Sequence, residues 1–219
     1  MTGRERSPVP PKSVIFDIGR VIVRVNLDRL FEPLAALTPS GSNASAAAEP
    51  EEIWSAIQAS PRWNDWQEGR MTSREWHEHL TAQLHISIGF AEFCVAWNRV
   101  LDPQTILSER LFEQLGARCR LGLLSNTDPL HSAHLESRFP FMRHFPTRIY
   151  SCSIGASKPS PAIYQAALDA VGVTPAEALY IDDIAEYAQA ARELGLDAIQ
   201  FDNPAQLDRE LALRGLPGG

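Results

Sequence analysis

The sequence has few cysteines, no excess of positive charge and no long apolar run. Its three cysteines, Cys94, Cys119 and Cys152, lie far apart and form no CxxC pair, which favours reduced thiols. The formal net charge of −7 indicates no basic face, so we expect no nucleic-acid partner. No apolar run approaches the ~20 residues of a membrane helix, and the polar N-terminus carries no apolar signal core. We therefore expect a cytoplasmic protein with no membrane partner.

Several common catalytic motifs are absent as well. The sequence contains no HExxH, GxSxG, GxGxxG or P-loop pattern, which argues against zinc proteases, serine hydrolases and dinucleotide- or nucleotide-binding enzymes. His77 and His79 lie two residues apart and would face apart on a helix. His131 and His134 could share a helix face, but no third ligand is evident. We therefore expect no histidine metal site.

Short apolar runs that stop at polar residues predict a parallel sheet. Runs of this kind fit strands that are buried on both faces. Helical patterns lie between the later runs, from Pro161 to Gly172 and from Ile184 to Gly195. Strands that alternate with helices of this length predict an α/β fold with a doubly wound parallel sheet. The runs are Val14–Phe16, Leu121–Leu124, Ile149–Tyr150, Ala178–Ile181 and Ala198–Phe201.

The chain between the first two runs has helical patterns and no run typical of a buried strand. We therefore predict a helical domain at residues 26–102, a core formed by residues 13–25 and 103–219, and a loose tail at residues 1–12. Hinges are expected near Arg24–Asn26 and Leu101–Pro103. All five tryptophans lie in the helical domain: Trp54, Trp63, Trp66, Trp76 and Trp97. Helical spacing assigns Trp76 to the core of this domain, whereas Trp63 and Trp66 are candidates for the mouth of a site.

Polar residues follow the first, second and fourth apolar runs. Because the carboxyl ends of parallel strands meet at one edge of a sheet, we expect these side chains to converge. A cluster of carboxylates is self-repelling unless a metal ion or a cation neutralises it. Oxygen ligands that leave room for water suit Mg²⁺ bound next to a phosphoryl group. The converging residues are Asp17, Ser125, Asn126, Asp182 and Asp183, with Lys158 on a nearby loop.

Each of these residues also has an ordinary structural interpretation. Asp183 could cap the following helix, with Glu186 completing a capping box. Ser125 and Asn126 could be turn residues, and Lys158 could be a solvated loop lysine. The joint occurrence of all these residues favours the functional interpretation.

Motifs in the order of the chain resemble those of the haloacid dehalogenase superfamily. They are Phe16-Asp17-Ile18-Gly19, Leu124-Ser125-Asn126-Thr127, Lys158-Pro159 and Ile181-Asp182-Asp183. The chain looks most like the subgroup of bacterial α-D-glucose-1-phosphate phosphatases, whose first motif is FDxGNV and whose second is LSNT. The resemblance spans essentially the whole chain. It implies a superfamily-type core with an inserted helical cap of the C1 type.

The resemblance also implies an activity, namely a phosphatase that acts on a small phosphorylated metabolite such as a sugar phosphate. Asp17 is implied to attack phosphorus and to form an aspartyl-phosphate. Ser125 and Lys158 are implied to hold the phosphoryl oxygens, next to Asn126. Arg20 stands where the subgroup usually has Asn or Gly, and could help to hold phosphate or could face the cap.

A Mg²⁺ site is implied by the same resemblance. Its ligands would be Asp17, the main-chain carbonyl of Gly19 and Asp183, with Asp182 supporting them. Most phosphatases of the superfamily carry a second Asp at the position of Gly19, where it acts as a general acid–base. Such a general acid–base contributes ~10²–10⁴-fold in rate. The glucose-1-phosphate subgroup also has glycine at this position, so the absence of the second Asp does not by itself exclude catalysis. We therefore expect substrates with good leaving groups, such as sugar 1-phosphates or acyl phosphates.

Two alternative functions stay open at this point. Metal-independent 2-haloacid dehalogenases share the fold and lack the second Asp, but their first motif usually has an aromatic residue before Gly-Thr. Here that motif is Ile18-Gly19-Arg20-Val21, and the Asp182-Asp183 pair favours a metal. The other alternative is a non-catalytic domain that binds phosphate or a protein partner. Gly19, Arg20 and Tyr187 together could mark such a domain. At the position of Tyr187 a carboxylate or amide often supports metal-bound water.

Overall fold

The computed structural model describes residues 10–30, 54–55 and 57–219. Most of the predicted tail and residues 31–53 and 56 of the predicted helical domain lie outside the described residues. The strands are β1 (Ser13–Phe16), β2 (Val23–Val25), β3 (Leu101–Thr105), β4 (Arg120–Ser125), β5 (Thr147–Tyr150), β6 (Ala178–Asp182) and β7 (Asp197–Gln200). The helices include α1 (Pro61–Gln67), α2 (Ser73–Leu84), α3 (Phe90–Asn98), α4 (Glu109–Gly116), α5 (Pro129–Arg138), α6 (Ser151–Ile154), α7 (Pro161–Val171), α8 (Ala185–Glu193) and α9 (Pro204–Leu213). Two 3₁₀ helices span Pro140–His144 and Pro175–Glu177.

A five-stranded parallel sheet forms the core of the molecule. Its strand order is β5-β4-β1-β6-β7, and every neighbouring pair is parallel. The strands correspond to the five apolar runs, so the predicted doubly wound sheet is confirmed. Lys12, which the sequence places in the tail, already accepts a hydrogen bond from Arg120 N and donates one to Glu177 O. No helix among the described residues is long and apolar enough to cross a membrane.

Helices cover both faces of the sheet because its central strand is apolar on both sides. In β1, Val14 and Phe16 face one cluster of buried side chains, and Ile15 faces the other. The first cluster includes residues of α4 and α9, and the second includes residues of α7 and α8. All four residues of β1 are buried, as expected for a strand between two layers of helices.

Two of the helices that the sequence predicts have the expected ends. Pro161 occupies the first turn of α7, and Gly172 ends this helix with a left-handed φ of 69°. Ser160 is its N-cap residue, but the Ser160 side chain makes no capping hydrogen bond. Gly195, just beyond α8, also has a left-handed φ, of 89°.

The helices α1 to α3 lie between β2 and β3, and we call the described residues from 54 to 98 the helical insertion. The segments predicted as hinges form β2 and β3, which pair as an antiparallel two-stranded sheet. The sequence analysis missed this pair, and β3 begins at Leu101, inside the range assigned to helices. Asn26 N also donates to Val100 O at 2.8 Å. The chain therefore leaves and re-enters the core through two hydrogen-bonded segments.

Indole rings form the interior of the helical insertion. Trp66 stacks on Trp76 with ring centroids 5.0 Å apart, and Trp97 lies 5.2 Å from Trp66. Trp63 contacts all three of these rings at 5.5 to 6.2 Å. The helix α2 begins with a capping box between Thr72 and Glu75.

Candidate active site

The carboxyl ends of the central strands border a cavity of about 570 Å³. Asp17 follows β1, Ser125 ends β4 and Asp182 ends β6. Asp17, Ser125 and Asp183 line the cavity together with Lys158. The tertiary structure therefore brings together the polar residues that the sequence singled out at the ends of separate strands.

Lys158 is a buried cation between two carboxylates. Its Nζ donates to Asp17 Oδ1 and to Asp182 Oδ2, both at 2.7 Å, and to the carbonyl of Leu124 at 3.3 Å. Burial alone would lower the pKa of Lys158, but the two carboxylates outweigh it and raise the pKa above 10.5. Lys158 is therefore an ammonium whose three N–H groups all have acceptors. It is not the solvated loop lysine of the alternative interpretation.

Asn126 holds the main chain of Lys158. Its Oδ1 accepts a hydrogen bond from Lys158 N at 2.7 Å, and its Nδ2 donates to Lys158 O at 3.0 Å. Tyr187 supports the same residue, since its ring centroid lies 5.0 Å from Lys158 Nζ and its hydroxyl accepts from Asn126 Nδ2 at 3.4 Å. The side chain of Asn126 is thus occupied by Lys158 and Tyr187.

Asp182 is fully buried and its oxygens are occupied. Oδ2 accepts from Lys158 Nζ and from the hydroxyl of Tyr180, and Oδ1 accepts from Ile184 N at 2.8 Å. These donors orient the carboxylate toward Lys158. This geometry favours a supporting role for Asp182 over direct contact with a metal ion.

Asp17 and Asp183 bring carboxylate charges close together beside Asp182. Each of Asp17, Asp182 and Asp183 places an oxygen within 4.8 Å of the others. Burial raises the pKa of Asp17 to about 7, against the lowering effect of the Lys158 ammonium. Burial and the Asp182 charge also raise the pKa of Asp183. Because ionised carboxylates this close are costly, a divalent cation with oxygen ligands fits this donor set.

A tight turn after β1 places Gly19 and Arg20 on the cavity wall. Ile18 O accepts from both Ile22 N and Val23 N at 2.9 Å, and Arg20 N donates to Val23 O at 2.7 Å. Arg20 has a φ of 60°, a left-handed conformation that is uncommon for a residue other than glycine. Arg20 lines the cavity, and the positive charge of its exposed guanidinium counters the rise in the pKa of Asp183.

Asp183 does not cap the helix that follows it. The N-cap position of α8 is Ile184, and no side chain makes a capping hydrogen bond there. The main-chain N–H of Ile184 donates to the side chain of Asp182, not to that of Asp183. The capping interpretation of Asp183 is therefore wrong, and its carboxylate lines the cavity.

Only one of the two tryptophans proposed for the mouth of the site lines the cavity. Trp63 lines the cavity, together with Trp54. Trp66 is fully buried against Trp76, and its Nε1 donates to Ser73 Oγ at 3.3 Å. The placement of Trp66 at the mouth is wrong, because its ring fills the interior of the helical insertion.

Asp128 and His131 line the cavity, although the sequence analysis assigned neither of them a place in the site. Asp128 is the N-cap of α5, and its Oδ1 accepts from Leu130 N and His131 N at 2.9 Å. An aspartate directly before Pro129, at the first helical position, is a signal that could have located this cap. His131 follows this cap by three positions, and its Nδ1 lies 2.9 Å from Asp128 Oδ2.

The fold and the site together define a parallel-sheet α/β protein with an aspartate after the first strand and a buried lysine beside it. A family model described as haloacid dehalogenase-like hydrolase matches residues 11–195. The chain therefore belongs to the haloacid dehalogenase-like hydrolases, as the motifs predicted. The glucose-1-phosphate subgroup stays a prediction.

Relatives with curated names include phosphatases and longer proteins. A D-ribitol-5-phosphate phosphatase of Bacteroides thetaiotaomicron is 23% identical over 208 residues, covering 92% of this chain and 97% of that protein. The mouse acyl-CoA dehydrogenase family member 10 is 36% identical over 93 residues, which are 42% of this chain and only 9% of that protein. Only the first of these two matches concerns a protein of similar length.

Solved structures of the same fold include both phosphate-bound and dehalogenase enzymes. A family enzyme from Bacteroides thetaiotaomicron, in complex with magnesium and inorganic phosphate, superimposes with a TM-score of 0.74 at 21% identity, covering 88% of this chain and 94% of that one. The L-2-haloacid dehalogenase from Xanthobacter autotrophicus gives a TM-score of 0.61 at 20% identity, covering 86% of this chain and 76% of that one. At these identities the likeness concerns the fold alone.

Proposed function

We propose that the chain is a cytoplasmic, Mg²⁺-dependent phosphatase that acts on a small phosphorylated metabolite through an aspartyl-phosphate. One observation carries this proposal: Asp17, Asp183 and the Lys158 ammonium meet in a cavity, with Asp17 paired to Lys158 at 2.7 Å. A carboxylate nucleophile, an anion-binding cation and a second carboxylate for a metal ion are the groups that phosphoryl transfer requires.

In the proposed reaction Asp17 is the nucleophile. Lys158 occupies its Oδ1, which leaves Oδ2 to attack phosphorus while the bond from phosphorus to the leaving oxygen breaks. Water then attacks the same phosphorus atom, the bond to Asp17 breaks, and inorganic phosphate leaves. Ser125, whose hydroxyl makes no side-chain hydrogen bond within the described part of the chain, would donate to a phosphoryl oxygen.

The proposed metal ligands are Asp17, the carbonyl of Gly19 and Asp183. Asp182 would support them indirectly, by holding Lys158 next to Asp17. When bound, Mg²⁺ would neutralise charge on the phosphoryl oxygens and relieve the repulsion between the carboxylates. The relative solved with magnesium and inorganic phosphate supports this choice of ion.

A neutral, polyhydroxylated leaving group fits the rim of the cavity. The helical insertion contributes three neutral carboxamides to the cavity lining, from Gln58, Asn64 and Gln67, together with the Trp63 ring. Among the described lining residues, Arg20 and Lys158 are the sole arginine and lysine. Amide groups and aromatic rings suit hydroxyl groups and apolar sugar faces, whereas a second anionic group would call for additional cations. The D-ribitol-5-phosphate phosphatase relative agrees with a polyol or sugar phosphate.

Phosphate release from a panel of substrates tests the proposal. The panel would contain α-D-glucose 1-phosphate, D-ribitol 5-phosphate, glycerol phosphate, acetyl phosphate and para-nitrophenyl phosphate, each with Mg²⁺ and with EDTA. Release should require Mg²⁺ and disappear in Asp17→Asn, which keeps the shape of the side chain. Since Gly19 offers no proton to the leaving oxygen, sugar 1-phosphates and acyl phosphates should exceed alkyl phosphates in rate.

The same panel distinguishes the alternatives. Release that continues in EDTA would contradict the metal-dependent mechanism. No release from any phosphate ester, followed by halide release from 2-haloacids without metal, would support the dehalogenase function instead. Inactivity in both assays would leave a non-catalytic binding domain as the better description.

A further inference from the structure

The helical insertion contacts the core through Trp97, near the C-terminal end of α3. Trp97 Nε1 donates to Asp128 Oδ2 at 3.1 Å, across the boundary between the insertion and the core. The ring of Trp97 also stacks on the ring of His131, with centroids 5.6 Å apart and an interplanar angle of 19°. We call Trp97, Asp128 and His131 the anchor contact.

Asp128 is a buried carboxylate with four donors. Besides the main-chain N–H groups of Leu130 and His131, it accepts from Trp97 Nε1 and lies 2.9 Å from His131 Nδ1 through its Oδ2. Its relative exposure is only 1%, so no water replaces a lost partner easily. These contacts link the cap of a core helix to a tryptophan of the insertion.

His131 has an acceptor at each ring nitrogen. Nδ1 faces Asp128 Oδ2 at 2.9 Å, and Nε2 faces the carbonyl of Trp97 at 3.1 Å. A neutral imidazole carries only one N–H, so both contacts are hydrogen bonds only in the imidazolium form. The Trp97 carbonyl belongs to the last turn of α3, where the helix dipole also favours a positive charge.

A second close approach occurs between the insertion and the core. Gly69, after α1, has a φ of 70°, and a Cβ atom added there would lie 2.2 Å from the carbonyl oxygen of Cys152 in α6. Only glycine allows this approach. The insertion is therefore packed closely on α5 and α6, at two separate places.

The anchor contact is continuous with the loop that carries Ser125. Asp128 is three residues beyond Ser125, and Thr127 between them is held by Ser151, whose Oγ accepts from Thr127 N at 2.9 Å and donates to Thr127 O at 3.0 Å. A shift of Asp128 therefore acts on a short, hydrogen-bonded segment that ends at the proposed phosphate-binding hydroxyl.

We propose that Asp128 and His131 are positioning residues that hold the helical insertion against the Ser125 loop. In this arrangement the imidazolium joins the carboxylate of the core to the last turn of α3. Loss of its proton removes one of the two N–H donors and the attraction to Asp128, so the insertion loosens over the cavity. The kinetic part of this proposal rests on the proposed phosphatase function; the structural part does not.

The surroundings of His131 give the expected direction of the pH effect. Although burial disfavours the charged form, Asp128 raises the pKa of His131 above 6.5. Within the described part of the chain, the other titratable groups near the pair are His134 and the thiols of Cys94 and Cys152. The pKa of His134 is lowered by burial and by His131, and the pKa values of the two thiols are raised from 9.0 by burial. The anchor contact should therefore be intact at low pH and be lost as the pH rises through the raised pKa of His131.

Tryptophan fluorescence of the full chain, titrated from pH 5.5 to 10, reports this event without turnover. An imidazolium stacked on an indole quenches its emission, so the wild-type emission should rise in a single step above pH 6.5. His131→Gln should abolish the step. His134→Gln, on the next turn of α5, and His79→Gln, whose ring lies 5.6 Å from Trp76, should keep it. Asp128→Asn should move the midpoint to lower pH.

Steady-state kinetics on para-nitrophenyl phosphate tests the positioning role. At Mg²⁺ concentrations that saturate the site at every pH, and so keep Asp17 ionised, wild-type KM should rise at least tenfold across the fluorescence step, while kcat changes less than about threefold. His131→Gln should show the high KM at every pH, and His134→Gln should follow the wild type. Three outcomes would each overturn the proposal. The first is a wild-type chain with no fluorescence step, the second is a step that persists in His131→Gln, and the third is a KM that does not change with pH although the step is present. Wild-type measurements suffice for the first and third outcomes if a variant does not fold.

Discussion

Gly19 stands where a general acid is missing, and replacing it with aspartate probes the proposed mechanism directly. A Cβ atom added to Gly19 meets only Val25 Cγ2, at 3.6 Å, which is an ordinary van der Waals distance. Gly19 does not have the left-handed φ that would strain another residue. It lines the cavity close to Asp17 along the chain, so the new carboxyl group enters the same cavity.

The expected gain depends on the leaving group. General acid catalysis contributes ~10²–10⁴-fold, and the lower end applies here because no hydrogen bond orients the new carboxyl group. We therefore expect kcat/KM of Gly19→Asp to rise about 10²-fold on glycerol phosphate, equivalent to about 2.7 kcal/mol of transition-state stabilisation. The para-nitrophenolate ion leaves without a proton, so the change on its ester should be less than about threefold.

The assay compares phosphate release from both esters by wild type, Gly19→Asp and Gly19→Asn. The Asn variant has nearly the same size and polarity but carries no acidic proton, so it should resemble the wild type on both substrates. Equal gains in the Asp and Asn variants would show that protonation is not the cause. If Gly19→Asp keeps its full Mg²⁺ dependence but shows no gain on glycerol phosphate, the proposed reason for the leaving-group preference, the missing proton donor at Gly19, would be refuted.

Three further predictions concern the site and the insertion. Mg²⁺ affinity, measured by calorimetry, should fall about tenfold for each pH unit below 7, because the raised pKa of Asp17 of about 7 makes the ion compete with a proton. An affinity that does not change between pH 5 and pH 8 would contradict this. Lys158→Met should lower kcat by about 10²–10³-fold and, by leaving Asp17 and Asp182 unpaired, should destabilise the metal-free protein by ~3–5 kcal/mol. Mg²⁺ should restore part of that loss in thermal unfolding, whereas equal loss with and without Mg²⁺ would count against the proposed metal site. Gly69→Ala should lower the melting temperature, because the left-handed φ and the 2.2 Å approach of the new Cβ atom to Cys152 O cost ~1–3 kcal/mol or more of stability. The control Gly89→Ala, whose new Cβ atom meets nothing within 4 Å, should cost under about 1 kcal/mol of stability.

The strands of the core were predictable because each is a short apolar run buried on both faces. Val14, Ile15 and Phe16 are apolar in succession, which is typical of a strand between two layers of helices. The two-stranded sheet of β2 and β3 was not predictable in this way. Its strands contain the polar residues Arg24, Asp102 and Gln104 and lie at the surface, so their pairing depends on where the insertion leaves the core.

The catalytic candidates were also visible in the sequence, but their roles were only partly so. Asp17 was singled out at the end of a predicted strand and Lys158 on a nearby loop, 141 positions apart. The use of the Asn126 side chain to hold the Lys158 main chain has no signal in either local sequence. The same applies to Asp182, whose oxygens are occupied by donors from two other residues and its own loop.

The sequence by itself determined the family, the alternation of strands and helices, and the set of polar residues at the strand ends. The family was indicated by the resemblance of four motifs, whereas periodicity and cap residues indicate the strands and helices over a few positions, so neither needs a tertiary contact. Only the tertiary structure decided which carboxylates keep free oxygens, that Trp66 is an interior residue, and that His131 lies between Asp128 and Trp97. These outcomes depend on which groups meet across distant segments, because burial and charge act through space and not along the chain.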